Sequence, residues 1–208
     1  MLKLYGAPPT RALRVLWLLN ELDLKYELIP VNILEGENNS DDFRSLNPAA
    51  KVPVLVDGDE VITESSAIQL YLAEKYPQAG FIPESIEDRA QMYRWIFFLV
   101  TEIEQPLWRI AHHEIIYPKA KRLPQEIDLA RQECNHMVAV LESHMMRRDF
   151  IVGDRLSVAD FNAAYTLDWA NEQKMLVDAP RLRDFLKSMY ARPTAPPTIA
   201  KALAAMKG

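Results

Sequence analysis

The sequence predicts an α/β unit followed by an all-α unit. Three observations carry this. The first eighty residues alternate strand-period and helix-period patterns, reading β-α-β-α-β-β-α. Between Pro77 and Ser85 the composition shifts to Pro, Gly and turn residues, the chemistry of a linker. Beyond it only helical patterns appear. The expected division is an amino-terminal unit over residues 1–77, a linker over 78–86 and an all-helical unit over 87–208.

The elements follow in order. Leu2 to Tyr5 is a short strand, ended by Gly6-Ala7-Pro8-Pro9, which can continue neither regular element. Thr10 is suited to cap a helix over Arg11 to Leu22, where Leu13, Leu16 and Trp17 recur at helical spacing. A second strand over Lys25 to Val31 alternates Tyr26, Leu28 and to a lesser degree Pro30 against Lys25, Glu27 and Ile29, and should run parallel to the first through a right-handed crossover. Asn32 to Ser45 is a polar loop, with one helical turn expected around Asp41 to Leu46. Val52-Pro53-Val54-Leu55-Val56, Asp57-Gly58-Asp59 and Glu60-Val61-Ile62 read as a hairpin. Pro53 can donate no ladder bond, so it belongs at a strand start. Thr63 to Ser66 then offer caps for the next helix, whose unpaired N–H groups attract carboxylates.

In the second part, Glu87 to Tyr117 is one long helical run that Pro106 should kink near Thr101 to Glu104. Pro124 opens a helix to about Arg148. Ser157-Val158-Ala159-Asp160 forms a capping box before a buried helix, and two shorter helices follow over Pro180 to Tyr190 and Pro197 to Met206.

Composition removes several function classes. A net charge of −5 with scattered Lys and Arg argues against nucleic acid as a partner. No run of about eighteen apolar residues exists, so no membrane span is expected. The first residues enter a strand pattern without the regions of a signal peptide, and Cys134 alone can form no intrachain disulfide; a cytoplasmic location is expected. His112-His113-Glu114 lacks a zinc spacing, so no metal is expected there.

Asn47-Pro48, Lys51-Val52-Pro53-Val54-Leu55, Thr63-Glu64-Ser65-Ser66-Ala67-Ile68 and Leu156-Ser157-Val158-Ala159-Asp160-Phe161 occur in one order along the chain. With the predicted architecture they resemble the soluble, cytosolic-type glutathione transferase family, bacterial-like, with the theta-, phi- or nu-like branch left open. The resemblance covers the whole chain. It implies a thioredoxin-like amino-terminal domain, a cis bond before Pro53, a homodimer, and glutathione as co-substrate attacking a small hydrophobic electrophile. Residue by residue it implies that Lys51 meets the glycyl carboxylate, that Val52, ahead of Pro53, pairs through its backbone with the cysteinyl unit, and that Glu64 and Ser65 hold the γ-glutamyl end.

The chemistry needs a thiolate, whereas a free thiol has a pKa near ~8.5. In serine-type branches the activating hydroxyl follows the first strand, and an ungapped alignment of Arg11-Ala12-Leu13-Arg14-Val15 puts Ala7 there. Thr10 is the nearest hydroxyl and the preferred thiolate donor, Tyr5 the second candidate, and a backbone amide near Thr10 a third. Thr10 as a simple N-cap and Tyr5 as a packing residue stay open. Ala7-Pro8-Pro9-Thr10 has Cys-x-x-Cys spacing without either cysteine, which excludes dithiol chemistry at this turn. Trp108, Arg109, His112 and Tyr117 recur at spacings that could share one helix face; they are the expected electrophile pocket, with interdomain packing as the alternative. Glutathione-dependent peroxide or disulfide reduction, and a non-catalytic binding or regulatory module, are the competing functions.

Overall fold

The computed structural model describes residues 1–206, in two units: Met1–Ile82 with the chain from Arg192 onward, and Pro83–Ala191. The break lies inside the expected linker. The tail does not stay with the residues 87–208 as expected, and electrostatics gives the reason. Glu21, at the end of the first helix, keeps only 8% of its side chain exposed. Arg192 reaches it from the tail with two hydrogen bonds of 2.6 and 2.8 Å, and the Thr194 hydroxyl donates to the same carboxylate. Burial works against the charged form of Glu21, but Arg192 and Thr194 outweigh it and hold its pKa below the ordinary value.

The first unit holds a four-stranded sheet in the order β2-β1-β3-β4, with β1 Leu2–Tyr5, β2 Tyr26–Ile29, β3 Val54–Asp57 and β4 Glu60–Thr63. β1 pairs parallel with β2 and antiparallel with β3, and β3 pairs antiparallel with β4. The hairpin turn is Gly58-Asp59, and Gly58 takes the positive φ of 64° that a two-residue connection requires. Leu28 on β2 is 39% exposed although it stands beside fully buried Leu4, because β2 is the sheet edge.

Helix α1 (Ala12–Glu21) starts one residue later than expected and packs against α3 (Ser65–Lys75); α2 is the single turn Asp41–Leu46, capped by the Ser40 hydroxyl. Leu4, Leu13, Leu55, Ile68 and Leu72 are fully buried. Below the sheet end, Val31, Phe43 and Val54 form a small cluster joined by Tyr5, Leu46 and Val52. The tail carries α9, Ile199–Ala205, capped by Thr198.

The second unit begins with a continuous helical run, α4 (Ile86–Phe98) and α5 (Gln105–Ala111), interrupted by the wider π-type turns Leu99–Glu104 and His112–Ile116. The first wide turn falls where Pro106 should kink the run. A proline nitrogen donates no helical bond, and a wide turn absorbs the mismatch. α6 (Pro124–Met145) packs on α5. α7 (Val158–Glu172) is buried on almost every face, and α4, the first wide turn and α8 (Pro180–Tyr190) pack around it.

The capping box opens α7 as expected. Asp160 accepts from the Ser157 amide at 2.8 Å, the Ser157 hydroxyl at 2.9 Å and the Ile151 amide at 2.8 Å. Complete burial still pushes its carboxyl up to about 6. Cys134 is also buried, and its thiol is pushed up to about 12, which makes it an inert core residue.

Candidate functional site

The sheet register gathers one group of candidates. Tyr5 stands opposite Val54, and Val54 opposite Thr63. One residue beyond these positions lie Gly6, Pro53 and Glu64, so three chain segments leave the sheet at the same end. Val52, Pro53, Glu64 and Ser65 therefore meet there although ten residues lie between Val52 and Thr63.

Each segment has a local cause. The Val52–Pro53 bond is cis, as the resemblance implies, and Pro53 is buried where β3 begins. Lys51 is exposed just before it. Across the hairpin, Glu64 sits at φ 65° and ψ 110°, a backbone region few non-glycine residues enter, and its side chain is exposed. Contrary to the expected caps, Glu64 makes no side-chain capping bond to α3. Ser65, buried, is the first residue of that helix, where backbone N–H groups favour an anion. Behind it the Ser66 hydroxyl accepts from Arg14 at 3.4 Å, and Gln69 donates to the Arg14 carbonyl at 2.8 Å, tying α3 to α1.

The third segment carries Thr10. Gly6 has φ 152°, and a Cβ placed on it would lie 2.9 Å from the Ala12 Cβ and 3.6 Å from the Val52 Cβ. Only a glycine lets the start of α1 come this close to the Val52-Pro53 wall. The Thr10 hydroxyl donates to the Ala7 carbonyl at 2.6 Å and accepts from the Ala12 amide at 3.2 Å, so it organises the helix entrance from two residues before α1. Tyr5 lies in the cluster below, its ring edge-on to Phe43 at 6.4 Å. That is the environment of a packing residue.

The second unit carries the other group. Trp108 meets His112 edge-on at 4.5 Å, and His112 stacks on Tyr117 at 4.9 Å with their planes 16° apart. Trp169 of α7 extends this strip beside Trp108 at 5.9 Å, and His113 closes it edge-on to Tyr117 at 5.1 Å. The wide turn at His112 makes the strip, since it brings His112 and His113 both onto Tyr117. Arg109, the fourth residue of the expected pocket, is engaged by α6. Its guanidinium is bound by Glu126 at 3.1 Å and by Glu133, both on α6, which neutralises its charge and fastens α5 to α6. Among the described residues no group of three or more His, Cys, Asp or Glu has a metal-holding arrangement.

Two family models match the chain. The amino-terminal domain of glutathione S-transferases fits residues 1–74, and the carboxy-terminal domain fits residues 104–193. The chain belongs to the glutathione S-transferase family. It is 29% identical over 210 residues to glutathione S-transferase F9 of Arabidopsis thaliana, covering 97% of each chain. It is 35% identical over 149 residues to a zeta-class glutathione S-transferase of Euphorbia esula, covering 71% of this chain and 65% of that one. The crystal structure of glutathione transferase F7 from Populus trichocarpa superposes with a TM-score of 0.83 at 25% identity over 99% of both chains. The sequence marks Gly6 only as part of a turn, yet it lets the α1 entrance close against the Val52-Pro53 wall of this transferase. The one hint for Gly6 is that it separates β1 from two prolines.

Proposed function

We propose that this transferase binds glutathione at the sheet end of its first unit and conjugates the sulfur to small hydrophobic electrophiles. The convergence of Lys51, the Val52-Pro53 backbone and Glu64-Ser65 at one end of the sheet carries the reading. The groups match an anionic tripeptide: a cation for the glycyl carboxylate, unpaired strand backbone for the cysteinyl unit, and a carboxylate with a helix start for the γ-glutamyl ammonium and carboxylate. Such a set has no simpler collective purpose.

The thiol gives up its proton to solvent, and the thiolate is held by the Thr10 hydroxyl. Sulfur attacks an electron-poor carbon, an S–C bond forms, and the leaving group departs with the electron pair. Lowering a thiol pKa by about two units takes about 2.7 kcal/mol. A charge-assisted hydroxyl bond contributes about 1.5–3 kcal/mol, less about 0.5–1.5 kcal/mol for releasing the Ala7 carbonyl. The balance falls short by about half. The third candidate, a backbone amide at the α1 entrance, fills the difference, and neither a base nor a metal is required. Tyr5 is set aside as donor, since its ring serves the cluster with Phe43. Within the second unit, the rings of Trp108, His112 and Tyr117 form a strip that suits flat apolar electrophiles. Following the family resemblance, the working assembly is a homodimer in the cytoplasm, which sedimentation and fractionation would check.

The test is glutathione titration by calorimetry, followed by steady-state rates with a halogenated nitroaromatic, a hydroperoxide and a mixed disulfide. Saturable binding with turnover of the nitroaromatic is expected. No saturable binding would sink the reading, and turnover of the hydroperoxide or disulfide alone would replace conjugation by reduction.

A further inference from the structure

We infer that Asn47 and Asn38 are positioning residues for glutathione, acting through the two peptide planes that precede Val52. The inference rests on glutathione being the ligand of this sheet end.

Asn47 is 7% exposed and is the residue at which α2 ends. Its side-chain amide donates to the Lys51 carbonyl at 2.7 Å, its side-chain oxygen accepts from the Ala49 amide at 3.1 Å, and its own carbonyl accepts from Ala50 at 2.8 Å. One side chain thus spans the whole turn from Asn47 to Lys51. Asn38 comes from a separate segment, the short 3-10 turn Glu37–Asn39, and donates to the Ala50 carbonyl at 2.9 Å. The Asn38 side-chain oxygen is buried and has no hydrogen-bond partner among the described residues. The amide cannot improve this by flipping, because its oxygen would then face the Ala50 carbonyl. Donation to Ala50 therefore dictates its orientation.

The consequence is geometric. A peptide unit is planar, and in the trans form its C=O and N–H point in opposite directions. Fixing the Lys51 carbonyl fixes the Val52 N–H in the same plane, aimed away from Asn47. Fixing the Ala50 carbonyl likewise fixes the Lys51 N–H, and with it the origin of the Lys51 side chain. Ala50 itself sits at φ 54°, a conformation an alanine does not hold unaided, and bonds at both its N–H and its C=O hold it. The backbone that would pair with the cysteinyl unit is thus set in place by two amides that need not touch the ligand.

The test compares wild type, Asn47→Asp and Asn38→Ala by steady-state kinetics with glutathione and a halogenated nitroaromatic, alongside calorimetric titration with glutathione. Asn47→Asp keeps the shape but replaces the donor by an oxygen facing the Lys51 carbonyl. The expected result is a rise in the KM and Kd for glutathione of about tenfold for Asn47→Asp and about threefold for Asn38→Ala. The kcat at saturating glutathione and the KM for the nitroaromatic should stay within about twofold. A merely structural role would lower the melting temperature and kcat and leave the glutathione KM in place. Should Asn47→Asp fail to fold, Asn38→Ala, on a partly exposed turn, decides alone. Folded variants that bind glutathione as wild type does would overturn the inference while the proposed function stands. A wild type that does not bind glutathione would overturn both.

Discussion

The Thr10 hydroxyl gives its only proton to the Ala7 carbonyl, 2.6 Å away. It can serve a thiolate only by turning away from that carbonyl, and this sets its net contribution below that of a free hydroxyl. In Thr10→Ala the pKa of bound glutathione's thiol should rise by about one unit, since about 1–1.5 kcal/mol is lost. Thr10→Ser should leave it within about 0.3 units. Thiolate absorbance against pH measures both, and equal values in all three proteins would remove Thr10 from the chemistry.

Gly6→Ala tests how closely α1 must approach the Val52-Pro53 wall. The new Cβ would lie 2.9 Å from that of Ala12, at a φ of 152° that an alanine rarely adopts. A loss of about 1–3 kcal/mol in urea-unfolding stability is expected, together with weaker glutathione binding as the helix entrance is displaced. Wild-type stability and affinity in the variant would show that the entrance has slack.

Asp160 satisfies three donors, two of them backbone amides on Ile151 and Ser157. Replacing it by alanine orphans both amides in the core, and the expected cost is about 2–5 kcal/mol by urea unfolding. A cost below about 1 kcal/mol would mean that the turn before α7 can re-pair its amides on its own.

His144 offers a pH test. Its ring lies tilted by 33° against Trp95 at 4.1 Å, and its Nε2 donates to the Ile151 carbonyl at 2.8 Å. Burial lowers its pKa below 6.5, reinforced by the nearby Arg148 and Arg94 and opposed by the Ile151 bond. The unfolded chain therefore binds a proton more readily than the folded one. The stability His144 confers is full above pH 6.5 and declines as pH falls through that value toward the lower folded pKa. His144→Gln keeps an N–H donor for Ile151 but cannot titrate. The stability difference between wild type and variant should be constant above about pH 7.5 and turn against wild type on acidification. Parallel stability curves from pH 8 to 5 would contradict this.

Much of this was legible before any coordinates, for local physical reasons. Pro106 forbids a regular helix at its own nitrogen, so the wide turn before it was readable. Ser157 and Asp160 are spaced for reciprocal capping, and Gly58 marks a hairpin. These signals act within a few residues. The reversals came from contacts between distant residues. Arg109 stands at a helix spacing from His112, but its charge is drawn to Glu126 and Glu133, which spacing along α5 does not reveal. Leu28 fits a buried strand by composition and is exposed because β2 is an edge. At the sheet end the residue types that come together were readable from the order of Lys51, Val52, Glu64 and Ser65. The amides of Asn38 and Asn47 were not, since asparagine in a loop looks like solvent-facing turn chemistry until its carbonyl partner is known.

The pairing of Glu21 with Arg192 bears on how the protein is made. A ribosome releases Glu21 before the second unit and Arg192 after it. Until Arg192 emerges, the carboxylate at the end of α1 lacks the cation that lets it leave water, so the first unit is completed only after the second has been synthesised. A truncation that removes Arg192 therefore strikes the fold at its first helix.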